Sequence, residues 1–575
     1  MKTLKRALVL LGFLAAVTNQ PGFAQEGGPA VVLQDSILTP KVEAVWNKYY
    51  DYASVTALCQ QLAEAHPNLV KLESLGDSHQ GRKMWVLTIT DFSEGTAEQK
   101  PALYLDGNIH STVYPGVENV LFTAWFLAEG HMSNLFLQNL LKEKTFYIIP
   151  TINPDLRENV LNPFAEAPRA GVIPIDDDGD GLLDEDKPED LNKDGFISYM
   201  RRKSKDGRFV VDPQNPFRMI ATPSEKTGRY EILGFEGLDN DNDGRVNEDP
   251  QSNYDPNRDW PWNWQPAHIQ RGAFKYPFSL TENRNVKNFV LRASNIAAAQ
   301  VYSGFGAFHP HEEDFSFAEN PTQEDERVYK MLASEAQKFL AGLPYPLVFK
   351  NLQGAFGGQL NWFHGARGVY TFSTEILPGY SMVQQNAKPA VFDYEALQLL
   401  YPDEAFLDWV PFNHPTLGMV EIGGLKKDFL PDPTTHFDRT KLFQNTVLTL
   451  FHALHTPQLE IQGVETKKLA NGHTEVTATV TNTRVLPTHS SQDLLFKIER
   501  PDFISLKDST VVSGILVSIG QETFEREQKV SPARLEIPNI PGHSSVTVRW
   551  VVSAPAPTLQ VEVESRKGGV VRKRF

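Results

Sequence analysis

Short apolar runs alternate with helical periodicity along the first two-thirds of this chain, and that alternation leaves few folds open. "KMWVLTITD" (83–91), "ALYLDGNIH" (102–110) and "TFYIIPTINP" (145–154) read as strands. "GVENVLFTAWFLAE" (116–129) between the last two has helical spacing, as does "SVTALCQQLAEAHPNLVKL" (54–72), within a helical pattern over 41–75 ended by Pro67. Later strands fall at "NIAAAQVYSG" (295–304) and "GVYTFSTEIL" (368–377). Strands in alternation with helices predict an α/β fold, a mixed or parallel sheet with helices on both faces.

Near His455-Thr456-Pro457 the pattern changes. "HTEVTATVTNT", "DLLFKIER", "SSVTVRWVVSAP" and "LQVEVESR" are short alternating segments separated by turn residues, which predicts a C-terminal all-β sandwich over 456–575. The α/β domain is then 40–455, with an acidic insertion over about 165–250. At 575 residues two or more domains are expected.

The first residues have the three parts of an export signal. Lys2, Lys5 and Arg6 precede an apolar stretch, Ala7 to Val17, and Gly22-Phe23-Ala24 supplies small residues for cleavage before Gln25. Residues 1–24 are therefore expected to be a signal peptide and the protein secreted or periplasmic. No later run is long and apolar enough for a membrane span. The net charge of −16 argues against nucleic acid and anionic membranes as partners. The single cysteine, Cys59, shares helical spacing with Val55 and Leu62 and reads as core, so no internal disulfide is possible.

Much of that charge lies in two short stretches. "DDDGDGLLDEDKPEDLNKDG" (176–195) sets Asp176, Asp178 and Asp180 at alternate positions before Gly181, with Asp184 beyond. Asp190, Asn192 and Asp194 before Gly195 form a weaker copy, and Asp239, Asp241 and Asp243 before Gly244 repeat the pattern, with Asn247 following. Alternate carboxylates with a glycine for the sharp turn suit a hard cation of Ca²⁺ size. None is an EF-hand, because the twelfth position holds Lys187, Arg201 or Pro250 instead of a bidentate glutamate. Calcium is the expected cofactor, the alternative being solvated Asp/Gly turns, and its role would be to order an insertion with little core.

Several segments together resemble the zinc carboxypeptidase family, the carboxypeptidase A-like fold, from about residue 45 to 380 and more loosely to 450. They are "GNIH" (107–110), "INPD" (152–155), "DPNRDWPWNW" (255–264), "GGQLNW" (357–362) and "GVYTFSTEI". Secreted bacterial members also carry acidic insertions of this kind. The resemblance implies a zinc-activated water attacking the last peptide bond of a substrate with a free C-terminus. It implies Glu375 as general base, Arg169 as oxyanion arginine, Asn257 and Arg258 as the carboxylate clamp, and Asp255 as the acid orienting the first ligand. Leu360 falls at the base of the side-chain pocket, favouring apolar residues, and Gln353 where a tyrosine closes over substrate.

By the same resemblance only one zinc ligand of three is present. His110 is the first, Val113 stands where the glutamate should be, and Tyr302 where the third ligand, a histidine, should be. Glu118 lies further on, inside the next helix. A neutral phenol is a poor zinc ligand at pH 7. Three readings remain open: a pseudoenzyme that keeps the C-terminus clamp, an active zinc peptidase rewired through His309, His311, Glu312 and Glu313, and a calcium-stabilised structural or adhesion module.

Overall fold

The computed structural model describes residues 39–110, 115–161, 171–176, 181–184, 186–222, 228–240, 246–247, 254–302, 307–308, 322–339, 356–373, 401–427, 429 and 439–575. The expected signal segment, 1–24, lies outside them.

Along the chain run α1 (Tyr52–Ala65), β1 (Val70–Asp77), β2 (Lys83–Ile89), β3 (Ala102–Gly107), α2 (Gly116–Gly130), α3 (Leu135–Glu143), β4 (Thr145–Ile149) and α4 (Pro154–Leu161). Then come β5 (Tyr199–Lys203), β6 (Phe209–Asp212), β7 (Asn215–Ala221), β8 (Tyr230–Phe235), α5 (Thr281–Arg292), β9 (Ile296–Tyr302), β10 (Ala307–Phe308), α6 (Gln323–Phe339), α7 (Gln359–Arg367) and β11 (Tyr370–Ser373). The remainder is β12 (Phe406–His414), β13 (Gly418–Leu425), α8 (Arg439–Leu454), β14 (Leu459–Lys468), β15 (Thr474–Asn482), α9 (Ser491–Phe496), β16 (Asp502–Ile519), β17 (Glu522–Gln528), β18 (Arg534–Ile537), β19 (Ser544–Ser565) and β20 (Gly569–Arg574).

The first sheet has the order β1-β2-β4-β3-β9-β11-β10. Its centre is parallel, β4-β3-β9-β11, and both edges are antiparallel. β3, β4 and β9 are buried at every position, as strands covered on both faces must be. One face carries α1, α2, α3, α6 and α8 through Val55, Leu121, Leu137, Leu332 and Leu448 against Leu103, Leu105 and Ile148. The other carries α5 and α7 through Phe289 and Phe363 against Tyr104 and Ile149. In α1 the Asp51 side chain accepts the Ser54 N–H at 2.7 Å, and Val55, Leu58, Cys59 and Leu62 form the inward stripe. Burial pushes the Cys59 thiol up to about 12, so it is inert core. The helical periodicity over 41–75 overruns its element, since Pro67 ends the helix and Val70 opens β1.

The acidic insertion, expected to have little core, does have a small one. Its strands β5 to β8 join β12 and β13 in a second, six-stranded sheet of order β12-β13-β5-β8-β6-β7. Met200, Val420 and Ile422 form its small core. These strands are short and half-exposed, so their sequence lacks clean alternation, and β5 takes one of its two partners, β13, from about two hundred residues away.

The C-terminal strands form one seven-stranded sheet that is folded over and nearly barrel-shaped. β16 and β19 pair along most of their length through repeated bulges. One end of the pair is flanked by β15, β14 and β17, the other by β18 and β20, and Trp550, Val548 and Val561 lie in the core between. "DLLFKIER" is not a strand. Ser490 accepts the Asp493 N–H at 3.1 Å, and Asp325 of α6 accepts the Ser491 and Gln492 N–H groups at 2.9 Å each, so the segment starts as α9.

Three buried charges tie this sheet to the α/β part. Asp325 is the first. Lys144 donates to Thr456 O at 3.2 Å and Pro457 O at 3.0 Å, with burial lowering its ammonium to about 7. Lys567 donates to Arg367 O at 3.0 Å, Gly368 O at 2.9 Å and Asp493 Oδ2 at 3.1 Å. Among the described residues no helix is long and apolar enough to cross a membrane.

Candidate functional site

The C-terminal ends of parallel strands are where α/β sheets place ligands, and here two glycines bring those ends together. Gly107 lies opposite Tyr302 in the β3–β9 register. A Cβ on Gly107 would stand 3.0 Å from Gly116 O, and one on Gly116 would stand 2.8 Å from Tyr302 O. Glycine at both lets the first turn of α2 close over the two strand ends. Asn108 takes a left-handed φ of 62°, which asparagine tolerates, and its amide donates to Thr151 Oγ1 at 2.9 Å and Asn153 O at 2.8 Å. The chain therefore turns sharply and sets His110 against the residues that follow Tyr254.

His110 is 2% exposed, and its Nε2 lies 2.6 Å from Asp255 Oδ1. The same oxygen accepts the Asn257 N–H at 2.7 Å, so the carboxylate fixes both the imidazole and the short 3-10 turn Pro256–Arg258. The resemblance placed Asp255 beside the first histidine as its orienting acid, and the two side chains are in contact here.

Asn257 and Arg258 stand on that turn. Asn257 Oδ1 accepts the Gln359 N–H at 2.8 Å, which leaves its NH₂ as the outward donor. Arg258 Nη1 donates to Asn257 O at 2.8 Å and stands 3.7 Å from Asp255 Oδ2. Its side chain is 17% exposed, and its Nε is buried without a hydrogen-bond partner. The clamp can approach α7 this closely because Gly357 sits at φ 69°, with its missing Cβ 2.9 Å from Arg258 O. Leu360 lies half-buried one residue into α7.

Below the clamp, Gln359 donates through Nε2 to Asp106 Oδ2. Asp106 is fully buried near the end of β3, and desolvation raises its carboxyl to about 7 against partial offsets from the neighbouring Tyr104 hydroxyl and from Gln359. One atom of each partner, Asp106 Oδ1 and Gln359 Oε1, is buried without a partner. The sequence reading missed this pair; the signal available was a carboxylate inside the otherwise apolar run "ALYLD".

Tyr302 reaches toward α8. Its hydroxyl donates to Asn445 O at 3.0 Å and lies 2.9 Å from Thr449 Oγ1, both on α8, and the residue is fully buried. Glu118 is likewise committed, accepting the Tyr50 N–H at 2.7 Å and the Arg157 guanidinium. Val113, Arg169, Gln353, Glu375 and the cluster His309, His311, Glu312 and Glu313 lie outside the described residues. Among the described residues no three His, Cys, Asp or Glu side chains gather for a metal. His110 with a Tyr302 turned toward α8 does not fit a three-ligand zinc centre.

The acidic stretches divide. The copy at 190–194 is folded on itself: Asp190 accepts the Asp194 N–H at 3.2 Å and the Gly195 N–H at 2.9 Å, and Asp194 accepts the Phe196 N–H at 2.9 Å. Asn192 accepts a second bond from the Asp194 N–H at 3.0 Å. Asp176 accepts the Gly181 N–H at 3.1 Å, and Asp184 accepts the Ile175 N–H at 3.0 Å. Asp178, Asp180, Asp241 and Asp243 lie outside the described residues, and Asp239 is described. The two stretches meet through a bridge between Pro188 and Gly237.

Residues 55–160 match a family described as zinc carboxypeptidase, and residues 458–575 match a domain of unknown function. The first match contains His110, Val113 and Asn153 to Asp155; Asp255, Asn257, Arg258 and Tyr302 lie beyond it. A zinc carboxypeptidase of Saccharothrix mutabilis subsp. capreolus is 32% identical over 107 residues, 19% of this chain and 24% of that protein. Carboxypeptidase B of Astacus astacus is 23% identical over 341 residues, 58% of this chain and 87% of that protein. Carboxypeptidase B of Rattus norvegicus is 30% identical over 113 residues, 19% of this chain and 26% of that protein. Among solved structures, carboxypeptidase A from Helicoverpa armigera covers 78% of this chain and 80% of its own at 13% identity and a TM-score of 0.37, too loose to carry an argument. The chain thus spans about a quarter of the bacterial and the rat relative.

Proposed function

From the premise of a zinc carboxypeptidase-like α/β domain, we propose that this protein is a secreted pseudoenzyme that binds peptide C-termini without a catalytic zinc. The observation that supports it is Arg258. A mostly buried guanidinium held at one nitrogen by Asn257 O, with only a 3.7 Å approach to Asp255, keeps donors for an incoming anion. The Asn257 NH₂ beside it suits the second oxygen of a carboxylate. Export through residues 1–24, calcium in the acidic loops, and peptides or proteins with a free C-terminus as partners belong to the same reading.

No hydrolytic step is assigned, because the described residues do not assemble a zinc centre. Asp255 would orient His110 and the clamp together, and Gly357 would keep α7 close enough to hold Asn257 in place.

The test is fluorescence anisotropy with one peptide made as the free acid and as the C-terminal amide. The acid is expected to bind, with the amide and Arg258→Ala each weaker by ~10- to 100-fold, the worth of one charge-assisted hydrogen bond. Equal binding of the two peptides refutes the clamp. Elemental analysis should find well under one zinc per chain. Near-stoichiometric zinc with release of an apolar C-terminal residue would instead establish an active, rewired peptidase.

A further inference from the structure

We propose that a calcium-sized cation binds between the two acidic loops, on oxygens of Asp186, Asp239, Asn247 and Lys187, and not within any single Asp-x-Asp-x-Asp repeat. This inference rests on the loops alone and is independent of peptide binding.

Asp186 belongs to none of the three repeats. It is 1% exposed, its Oδ1 accepts the Asn240 N–H of the other loop at 2.7 Å, and its Oδ2 is buried without a donor. A carboxylate oxygen buried without a partner is costly, and cations or tightly held donors are what remove the cost. The unmatched oxygen lies where the loops meet, because its sibling oxygen is already bonded across to Asn240.

The opposite wall is also made of oxygens. Asn247 takes a left-handed φ of 63°, and its Nδ2 donates to Phe235 O at 2.8 Å. That bond turns its Oδ1 inward, where it too is buried without a donor. A Cβ on Gly237 would stand 2.9 Å from this oxygen and 3.1 Å from Lys187 O, so both oxygens converge on one point beside the Pro188–Gly237 bridge. Asp239 follows two residues later.

The wall is held from outside by His414, which is 1% exposed. Its Nδ1 accepts the Thr416 and Leu417 N–H groups at 3.2 and 3.1 Å, so its Nε2 carries the hydrogen and donates to Gly237 O at 2.8 Å. Two carboxylates, an amide oxygen and a carbonyl form a hard-cation donor set. Calcium suits it better than magnesium, whose small octahedral shell resists irregular oxygen cages.

The full chain, stripped with EDTA and dialysed, is titrated with CaCl₂ alone and followed by calorimetry and by melting temperature. Three chains are compared: wild type, Asp186→Asn and Asp194→Asn. Asp186→Asn keeps the oxygen that accepts from Asn240 and removes the charge. It should bind the calcium that stabilises the fold at least tenfold more weakly, while its calcium-free melting temperature stays at or above that of wild type. Asp194→Asn should titrate like wild type, and magnesium should give a smaller shift in every chain. Absence of saturable calcium binding, equal binding by Asp186→Asn and wild type, or loss in Asp194→Asn alone would each overturn the proposal.

Discussion

Replacing Asp106 by asparagine should stabilise the fold at alkaline pH and do progressively less as the pH falls. The carboxyl titrates at 3.8 in an unfolded chain and near 7 where β3 buries it under α7. Burial raises it, so the sign is the reverse of a salt-bridged acid: the folded state is unpenalised only below the unfolded value, and stability is lost as pH rises from there toward the folded value. Above pH 7 the ionised form costs the wild type about 4 kcal/mol, the difference of the two values at about 1.4 kcal/mol per unit. At pH 5 the folded carboxyl is protonated and the cost falls below about 2 kcal/mol. Asparagine carries no such cost and keeps an oxygen for the Gln359 Nε2. The gap between variant and wild type, read from urea unfolding at pH 8 and pH 5, should therefore narrow by about 2 kcal/mol or more. A gap independent of pH would mean that Asp106 titrates normally and that its environment is wet. A destabilised variant at pH 8 would mean that the carboxylate itself is required.

Tyr302→Phe should cost about 1 kcal/mol, the worth of a buried hydroxyl hydrogen bond, because the Asn445 carbonyl loses one donor and keeps the Thr449 hydroxyl; metal content by elemental analysis should not change, and a change would reinstate the residue as a ligand. His489 sits 3.0 Å from Asp493 and 3.3 Å from Asp502, and Lys567 shares the same Asp493 oxygen at 3.1 Å. Burial alone would lower its imidazole, but the two carboxylates win and raise it to about 9. Its contribution, on the order of 3 kcal/mol, is therefore present below pH 6.5 and lost as pH rises through 9. Melting temperature against pH should show that loss in the wild type and not in His489→Gln.

The central strands were legible because a strand buried on both faces must be mostly apolar, and β3, β4 and β9 are, with Asp106, Thr145 and Gln300 the polar positions. Asp255, Asn257 and Arg258 could be placed together from the sequence because one short turn carries them, and of the three Asp255 is the one that contacts His110. Side-chain direction was not legible: Tyr302 occupies the expected position in β9, yet its hydroxyl turns to α8, a partner about 140 residues further on. β5 to β8 escaped notice because they are short and half-exposed, and β5 joins them to β13, far along the chain. α9 was read as a strand because its start depends on Asp325, which no local pattern reveals. The acidic spacing pointed to calcium chemistry, but not to Asp186, whose significance lies in being buried beside a loop fifty residues away.

Lys144, Asp325 and Lys567 make the C-terminal sheet an unlikely candidate for shuffling as an independent module. Each is a buried ionic group with hydrogen-bond partners across the boundary, Asp325 keeping Tyr370 and Lys567 keeping Asp493 as partners on their own sides. Cutting the chain after α8 would strand the Lys144 ammonium and the Asp325 carboxylate at the same moment. The two halves are therefore bound to share one fate in expression, proteolysis and descent, and a change that loosens one should be selected against through the other.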